Sequence, residues 1–223
     1  MSIQALFFDF DGLILDTETP EYEVLQQIFK PHGLSFPLSE WAKVLGASPG
    51  AFDPFDYLAR NTHPPVDPAA VKVEFLKRSL EVIEQSPPLP GVLSLLDQAE
   101  QRGLHLAVAS SSPTDWVHGH LKRLGLFARF QSILTRDDVA FPKPAPDLYL
   151  KSLEFFNLQP HQAIVFEDSP NGITAGRAAG IFTVAVPNPV TRLLDTSHAS
   201  LVLSSLSDLT LDELMAKANH AHP

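Results

Sequence analysis

The chain has 223 residues, 44% apolar and 19% charged, with a formal charge of −10. That is the make-up of a globular protein with room for one large domain, or for a core domain carrying a smaller insertion. The negative balance argues against a grip on the phosphates of duplex nucleic acid, and the absence of cysteine excludes disulfides, thiolate catalysis and thiolate-bound zinc. No run approaches ~20 apolar residues and residues 1–30 lack a basic leader with a cleavage site, so neither a membrane span nor export is expected, and the cytoplasm is.

The first element is "ALFFDFDG" (5–12), a short strand buried on both faces that ends in Asp9, Asp11 and Gly12. Residues i and i+2 of a strand share a face, so the two carboxylates are expected to converge. Like charges this close and partly buried need compensation, which a divalent cation with oxygen ligands supplies. Gly12 allows a sharp turn or a close approach of backbone to ligand. The competing reading is a strand end whose aspartates cap a turn.

Residues 17–86 contain no buried strand run. "EYEVLQQIFKPHG" (21–33) and "AAVKVEFLKRSLEVIEQ" (69–85) read as amphipathic helices, so the segment is a helical insertion after the first strand. Tyr22, Trp41 and Phe52 are expected in its core. Its cations are Lys43, Arg60, Lys72, Lys77 and Arg78, most of them ordinary solvated charges. "PPLPG" (87–91) makes a stiff re-entry.

Strand and helix patterns then alternate. Val92, Leu95, Leu96 and Ala99 mark a helix stopped at Gly103. "HLAVASSS" (105–112) is a strand ending in serines. Ser112, Pro113 and Asp115 form an N-capping pattern for a helix through Trp116, Val117, His120, Leu121 and Leu124, closed by Gly125. Capping explains Ser112 but not Ser110 or Ser111, and hydroxyls beside free helix N–H groups make a phosphate seat. "QSILT" (131–135) is a further strand. In "FPKPAPD" (141–147), prolines frame Lys143; this is either a surface loop or a lysine held for one contact. Leu148, Tyr149, Ser152, Leu153 and Phe156 mark another helix.

"AIVFEDS" (163–169) is a strand ending in Glu167 and Asp168, with Ser169 as N-cap and Pro170 at the first helical position. Acids there can complement a helix dipole, which accounts for one of them more readily than for two. "FTVAV" (182–186) and "SLVLS" (200–204) complete six candidate strands. The alternation predicts an α/β fold, a parallel sheet with helices on both faces, whose ligand site lies beyond the carboxyl ends of the strands. All four polar clusters fall there. Asp9, Asp11 and Asp168 can hold a cation such as Mg²⁺, with Ser110 and Lys143 holding a phosphoryl group beside it. No G-x-G-x-x-G follows the first strand, which rules out a dinucleotide fingerprint. The nine histidines, with His198, His220 and His222 in the tail, show no ligand spacing.

"DFDGLILDTE" (9–18), "ASSS" (109–112), "KPAPD" (143–147) and "EDSPNGITAGRAAG" (167–180) resemble the four motifs of the haloacid dehalogenase superfamily. "PLPGV" (88–92) resembles the re-entry of its helical-cap subgroup, which includes β-phosphoglucomutase, phosphoglycolate phosphatase and sugar-phosphate phosphatases. The resemblance implies a core of residues 1–16 and 87–223 and a cap of 17–86. It implies Asp9 as nucleophile, carrying an aspartyl-phosphate, and Asp11 as acid and base that also gives a backbone carbonyl to Mg²⁺. Ser110 and Lys143 would serve the phosphoryl group, with Asp168 and Glu167 on the metal. Gly12, Ser111, Thr17, Glu18 and Asn171 would lie at the phosphate or substrate.

Phosphatase is the expected activity, on a small phosphorylated metabolite such as a sugar phosphate. No nucleic-acid or membrane partner is expected, and the choice between monomer and dimer stays open. The alternatives are a phosphomutase and a receiver-like signalling module. Mutase-like members carry a histidine where this chain has Glu21, and an arginine near the cap turn where it has Gly46, Ala47, Ser48 and Pro49. Receiver domains are about half this length and place their phosphorylated aspartate in mid-chain.

Overall fold

The computed structural model describes residues 2–45 and 52–221, without the side chains of 43–45. Strands β1 (Ala5–Phe8), β2 (His105–Ala109), β3 (Ser132–Leu134), β4 (Ala163–Glu167), β5 (Phe182–Ala185) and β6 (Leu201–Val202) form one parallel sheet in the order β3-β2-β1-β4-β5-β6. All six fall on the expected runs.

The alternation within β1 explains why it lies at the centre. Leu6 and Phe8 join one apolar layer, with Val92, Leu95, Val117 and Leu121 from α5 (Val92–Gln101) and α6 (Thr114–Arg123). Ala5 and Phe7 join the other, with Leu148, Tyr149 and Ala175 from α7 (Asp147–Phe156) and α8 (Pro170–Ala178). Burying Leu6, Phe7 and Phe8 stabilises by roughly 1.5–3 kcal/mol each, enough to offset the ~1–2 kcal/mol per residue of backbone ordering. Strands β2 and β3 lie to one side of β1 and β4 to β6 to the other. The order therefore reverses between β1 and β4, the place where open sheets bind ligands. Phe8 pairs with Phe166, and the Asp9 amide donates to the Phe166 carbonyl at 3.0 Å, which sets Asp9 beside Glu167.

Between β1 and α5 lie α1 (Glu18–Phe29), α2 (Leu38–Leu45), α3 (Pro54–Arg60) and α4 (Pro68–Ile83). The expected two helices are four. The shorter α2 and α3 lack the length for a visible period, and α3 is started by the Asp53 carboxylate and Pro54. These helices share an apolar cluster that includes Phe29, Phe36, Trp41, Phe55 and Phe75. Trp41 is core as expected and Tyr22 packs against the cluster, whereas Phe52 is exposed and stacks on Phe36. Val190, from beyond β5, joins the same cluster and ties the four helices to the sheet. A last helix, α9 (Leu211–Ala221), was not expected; it covers α5.

One capping expectation is overturned. α6 starts at Thr114 behind Pro113, and Ser112 caps nothing. The Ser112 hydroxyl donates to Asp11 instead, and the Thr114 amide finds the Asp137 carboxylate at 2.9 Å. Ser169 does cap α8, accepting from the Gly172 amide at 3.2 Å. Among the described residues no helix is long and apolar enough to cross a membrane.

Candidate active site

A cavity of about 510 Å³ opens at the carboxyl ends of β1, β2 and β4. Asp9, Asp11, Glu18, Ser110, Ser111, Lys143, Asp168 and Asn171 line it, so eight of the expected site residues converge. Glu167 is fully buried behind them. Gly12 and Thr17, both expected at the substrate, are not part of the cavity wall. Gly12 lies under Asp168, and Thr17 is buried at the start of α1, within reach of Asp11.

Lys143 is the hub. Its Nζ lies 2.7 Å from Asp9 Oδ1 and 2.6 Å from Glu167 Oε1, with all three side chains nearly or fully buried. The surface-loop reading of this lysine therefore fails. Burial alone would lower its pKa, but the charges of Asp9 and Glu167 outweigh that and raise it well above the ordinary value, so it is a fixed cation. Tyr149 donates its hydroxyl to the same Glu167 oxygen. The other oxygen, Oε2, is buried with no hydrogen-bond partner.

Asp9, Glu167 and Asp168 each offer a carboxylate oxygen within 4.8 Å of the others. Burial pushes Glu167 up to about 7, with the Asp9 charge adding, and raises Asp168 well above the carboxylate range, with Glu18, Asp9 and Glu167 adding. Glu167 and Asp168, both made costly to ionise, stand beside the Asp9 carboxylate with one orphaned buried oxygen among them, and this donor set fits a hard divalent cation. Gly172 leaves room for the group, since a Cβ there would lie 1.8 Å from Glu167 Oε2.

The Asp11 carboxylate does not converge on these three. β1 ends at Phe8, and the next residues turn back so that the amides of Ile14 and Leu15 donate to the Phe10 carbonyl. The strand rule therefore stops short of Asp11. Its Oδ2 accepts from Ser112 Oγ at 2.6 Å and its Oδ1 from Trp116 Nε1 at 2.8 Å. Burial raises its pKa, against the hydrogen bonds from Ser112, Trp116 and Thr17 that favour the ionised form.

Asn188, outside the cavity lining, holds two of its acids: its Nδ2 donates to Asp168 Oδ2 at 2.8 Å and to Glu18 Oε2 at 2.7 Å. Ser110 Oγ accepts from the Ser112 amide at 3.0 Å. Lys143 is the one cation among the described residues that line the cavity. Arg78 pairs with Glu74 at 3.0 Å and Arg60 is exposed near Asp56, and neither Lys72 nor Lys77 lines the cavity. The Lys43 side chain and Gly46, Ala47, Ser48 and Pro49 fall outside the described residues, as does His222.

Sequence reasoning missed Asn188, and gave Trp116 and Tyr149 only a place on apolar helix faces. Asn188 had a signal: it follows β5, between two prolines, as Lys143 stands between two prolines. The polar tips of Trp116 and Tyr149 had none, because helical period reports the face and not the direction of one N–H or O–H.

The profile of haloacid dehalogenase-like hydrolases matches residues 6–186. The chain is 43% identical over 217 residues to YhcW of Bacillus subtilis (strain 168), a protein provisionally named a phosphatase, covering 97% of this chain and 98% of that one. It is 30% identical over 220 residues to the validoxylamine A 7'-phosphate phosphatase of Streptomyces hygroscopicus subsp. limoneus, covering 99% of each. A crystal structure of a hydrolase from Deinococcus radiodurans R1 with bound phosphate and sodium superimposes with a TM-score of 0.76 at 26% identity, over 97% of this chain and 96% of that one.

Proposed function

The chain belongs to the haloacid dehalogenase-like hydrolase family, and from that premise we propose that it is a cytoplasmic, Mg²⁺-dependent phosphatase of a small phosphorylated metabolite, a sugar phosphate. The observation that carries this is the Asp9 carboxylate, facing the cavity with Lys143 Nζ at 2.7 Å and two further buried acids beside it. Relatives named for phosphatase activity support the reaction class, one of them named for a single phosphorylated small molecule, validoxylamine A 7'-phosphate.

In this reading one oxygen of Asp9 attacks phosphorus while Lys143 holds the other and offsets charge on the transferring group. Asp11 gives its proton to the leaving oxygen, then takes one from the water that cleaves the aspartyl-phosphate. Ser110 and Ser111 offer hydrogen bonds from the end of β2. Asp9, Asp168, Glu167 and the Asp11 carbonyl would hold Mg²⁺, which when bound supplies Lewis-acid stabilisation of phosphoryl charge and offsets the crowding of acids.

We assign residues 1–16 and 87–223 to the catalytic core and 17–86 to a cap that excludes water over the cavity. Glu18 and Ala42 from the cap line the cavity together with Thr191 and Leu194 from the core. Among the described residues one cation lines the cavity, which favours a monophosphate over the bisphosphate of a mutase, whose second phosphate needs cationic partners.

The test is phosphate release with Mg²⁺ from hexose phosphates, pentose phosphates, phosphoglycolate, nucleoside monophosphates and β-glucose 1-phosphate, with Asp9→Asn beside wild type. Release that vanishes in the variant supports the proposal and ranks substrates. Near-wild-type release in the variant removes Asp9 as nucleophile. No release from any compound, with conversion of β-glucose 1-phosphate to glucose 6-phosphate on priming with a bisphosphate, replaces the phosphatase with a mutase.

A further inference from the structure

Trp116 stands in the first turn of α6, on the face that packs against the sheet. Its indole nitrogen does not point into that apolar layer. It reaches 2.8 Å to Oδ1 of Asp11. The ring is fixed from behind by the His120 ring, edge to face at 4.3 Å, and His120 stacks in turn on Phe10, the residue between Asp9 and Asp11. The partner of the second oxygen, Ser112, is of a different kind. A hydroxyl can donate or accept, whereas an indole N–H can only donate.

That asymmetry divides the two oxygens of Asp11. Oδ1 is committed as an acceptor whatever the protonation state of the carboxyl group. A proton on Oδ1 would face the indole N–H and lose its bond. A proton on Oδ2 keeps both, because the Ser112 oxygen, 2.6 Å away, can turn from donor to acceptor. Ser112 and Asp11 both line the cavity, so Oδ2 is also the oxygen nearer a hydroxyl that substrate can displace.

We propose that Trp116 is a positioning residue for Asp11: its indole N–H locks Oδ1 and assigns proton transfer to Oδ2. The inference rests on the phosphatase reading, in which Asp11 serves the leaving group. In the first step the Asp9 oxygen–phosphorus bond forms as the phosphorus–leaving-oxygen bond breaks, and the Oδ2 proton passes to the leaving oxygen. In the second a water oxygen bonds to phosphorus as the Asp9–phosphorus bond breaks, and Oδ2 takes the water's proton. Orientation of this kind matters steeply, since misplacing a catalytic group by about 1 Å costs about 10²-fold.

The experiment is Trp116→Phe, which keeps an aromatic ring against His120 and deletes the donor. The readout is kcat/KM for two classes of substrate. Alkyl phosphates, such as glycerol and hexose phosphates, leave as alkoxides and need the Asp11 proton. p-Nitrophenyl phosphate leaves as a stabilised phenolate and needs it far less. The expected result is a loss for alkyl phosphates at least tenfold greater than the loss for p-nitrophenyl phosphate. Equal losses in the two classes, or no loss in either, overturn the assignment. A wild-type enzyme that hydrolyses neither class defeats the phosphatase reading itself, a separate outcome. Should the variant not fold, the wild-type chain with ¹⁵N-labelled indoles carries the test. Asp11→Ala is expected to shift the Trp116 indole N–H resonance and leave that of Trp41, the only other tryptophan, in place; an unshifted Trp116 resonance overturns the proposal.

Discussion

A Cβ on Gly12 would stand 2.4 Å from Oδ2 of Asp168 and 2.6 Å from Nδ2 of Asn188. The turn after β1 and the acid at the end of β4 therefore occupy adjoining space, and only a residue without a side chain lets them do so. Gly12 also has φ of +74°, which an L side chain adopts at a cost. Gly12→Ala is expected to destabilise by about 1–3 kcal/mol and to displace Asp168. Denaturant unfolding with and without Mg²⁺ checks both, since the variant should unfold earlier and gain less from the metal. Equal gain from Mg²⁺ in both proteins separates Gly12 from the metal site.

Lys143→Met leaves Asp9 and Glu167 buried without their cation. Breaking a buried pair on one side costs about 3–5 kcal/mol. Removing an electrostatic partner of the transferring group slows turnover by about 10²–10³-fold. Thermal unfolding of the metal-free variant and phosphate release with Mg²⁺ are the two measurements. A variant as stable and active as wild type would show that the Asp9–Lys143 contact does not matter.

The acids set the pH dependence of the metal-free protein. Glu21 is pushed up to about 8, by burial first and then by the Asp11 charge, and Glu18 and Glu167 are raised by burial as well. Each binds a proton more tightly folded than unfolded. Between the ordinary glutamate value of 4.5 and about 8 the folded state carries the extra protons, so stability falls as pH rises through that window. Mg²⁺ takes the ionised acids and is expected to restore stability most at the upper end. Melting temperature against pH, with EDTA or with Mg²⁺, reads this directly. A metal-free profile rising from pH 5 to 8 contradicts it, and activity indifferent to EDTA contradicts the metal site.

Asn188→Ala removes the donor shared by Asp168 and Glu18 and the acceptor for the amides of Val190 and Thr191. Leaving such buried groups unpaired costs about 1–3 kcal/mol. Because Val190 sits in the apolar cluster of α1 to α4, the loss should show as weaker Mg²⁺ binding together with a lower melting temperature. Isothermal titration with Mg²⁺ beside a thermal melt separates the two. A lower melting temperature with unchanged Mg²⁺ affinity confines Asn188 to the fold.

The strands were legible because strands buried on both faces are short apolar runs, and "ALFF", "HLAVA" and "AIVFE" cannot be read as anything half-exposed. Their polar ends were legible for the same reason: Asp9, Ser110, Glu167 and Asp168 stand where an apolar run stops. α5, α6 and α7 showed a clear period, the first two closed by Gly103 and Gly125, both at positive φ. α2 and α3 are too short for a period to show.

Local sequence thus determined that carboxylates, hydroxyls and a lysine would gather at one edge of a parallel sheet, because strand order and direction carry every strand end to the same side. It could not determine which oxygen of which acid meets which partner. Asp11 follows Asp9 by two residues, yet the turn at Gly12 sends its carboxylate to Trp116, 105 positions away, while Lys143 crosses 134 positions to reach Asp9. Those choices depend on where a donor from another element happens to end. Only the packed tertiary structure decides that, because a hydrogen bond is made over about 3 Å whereas sequence patterns resolve no more than a face.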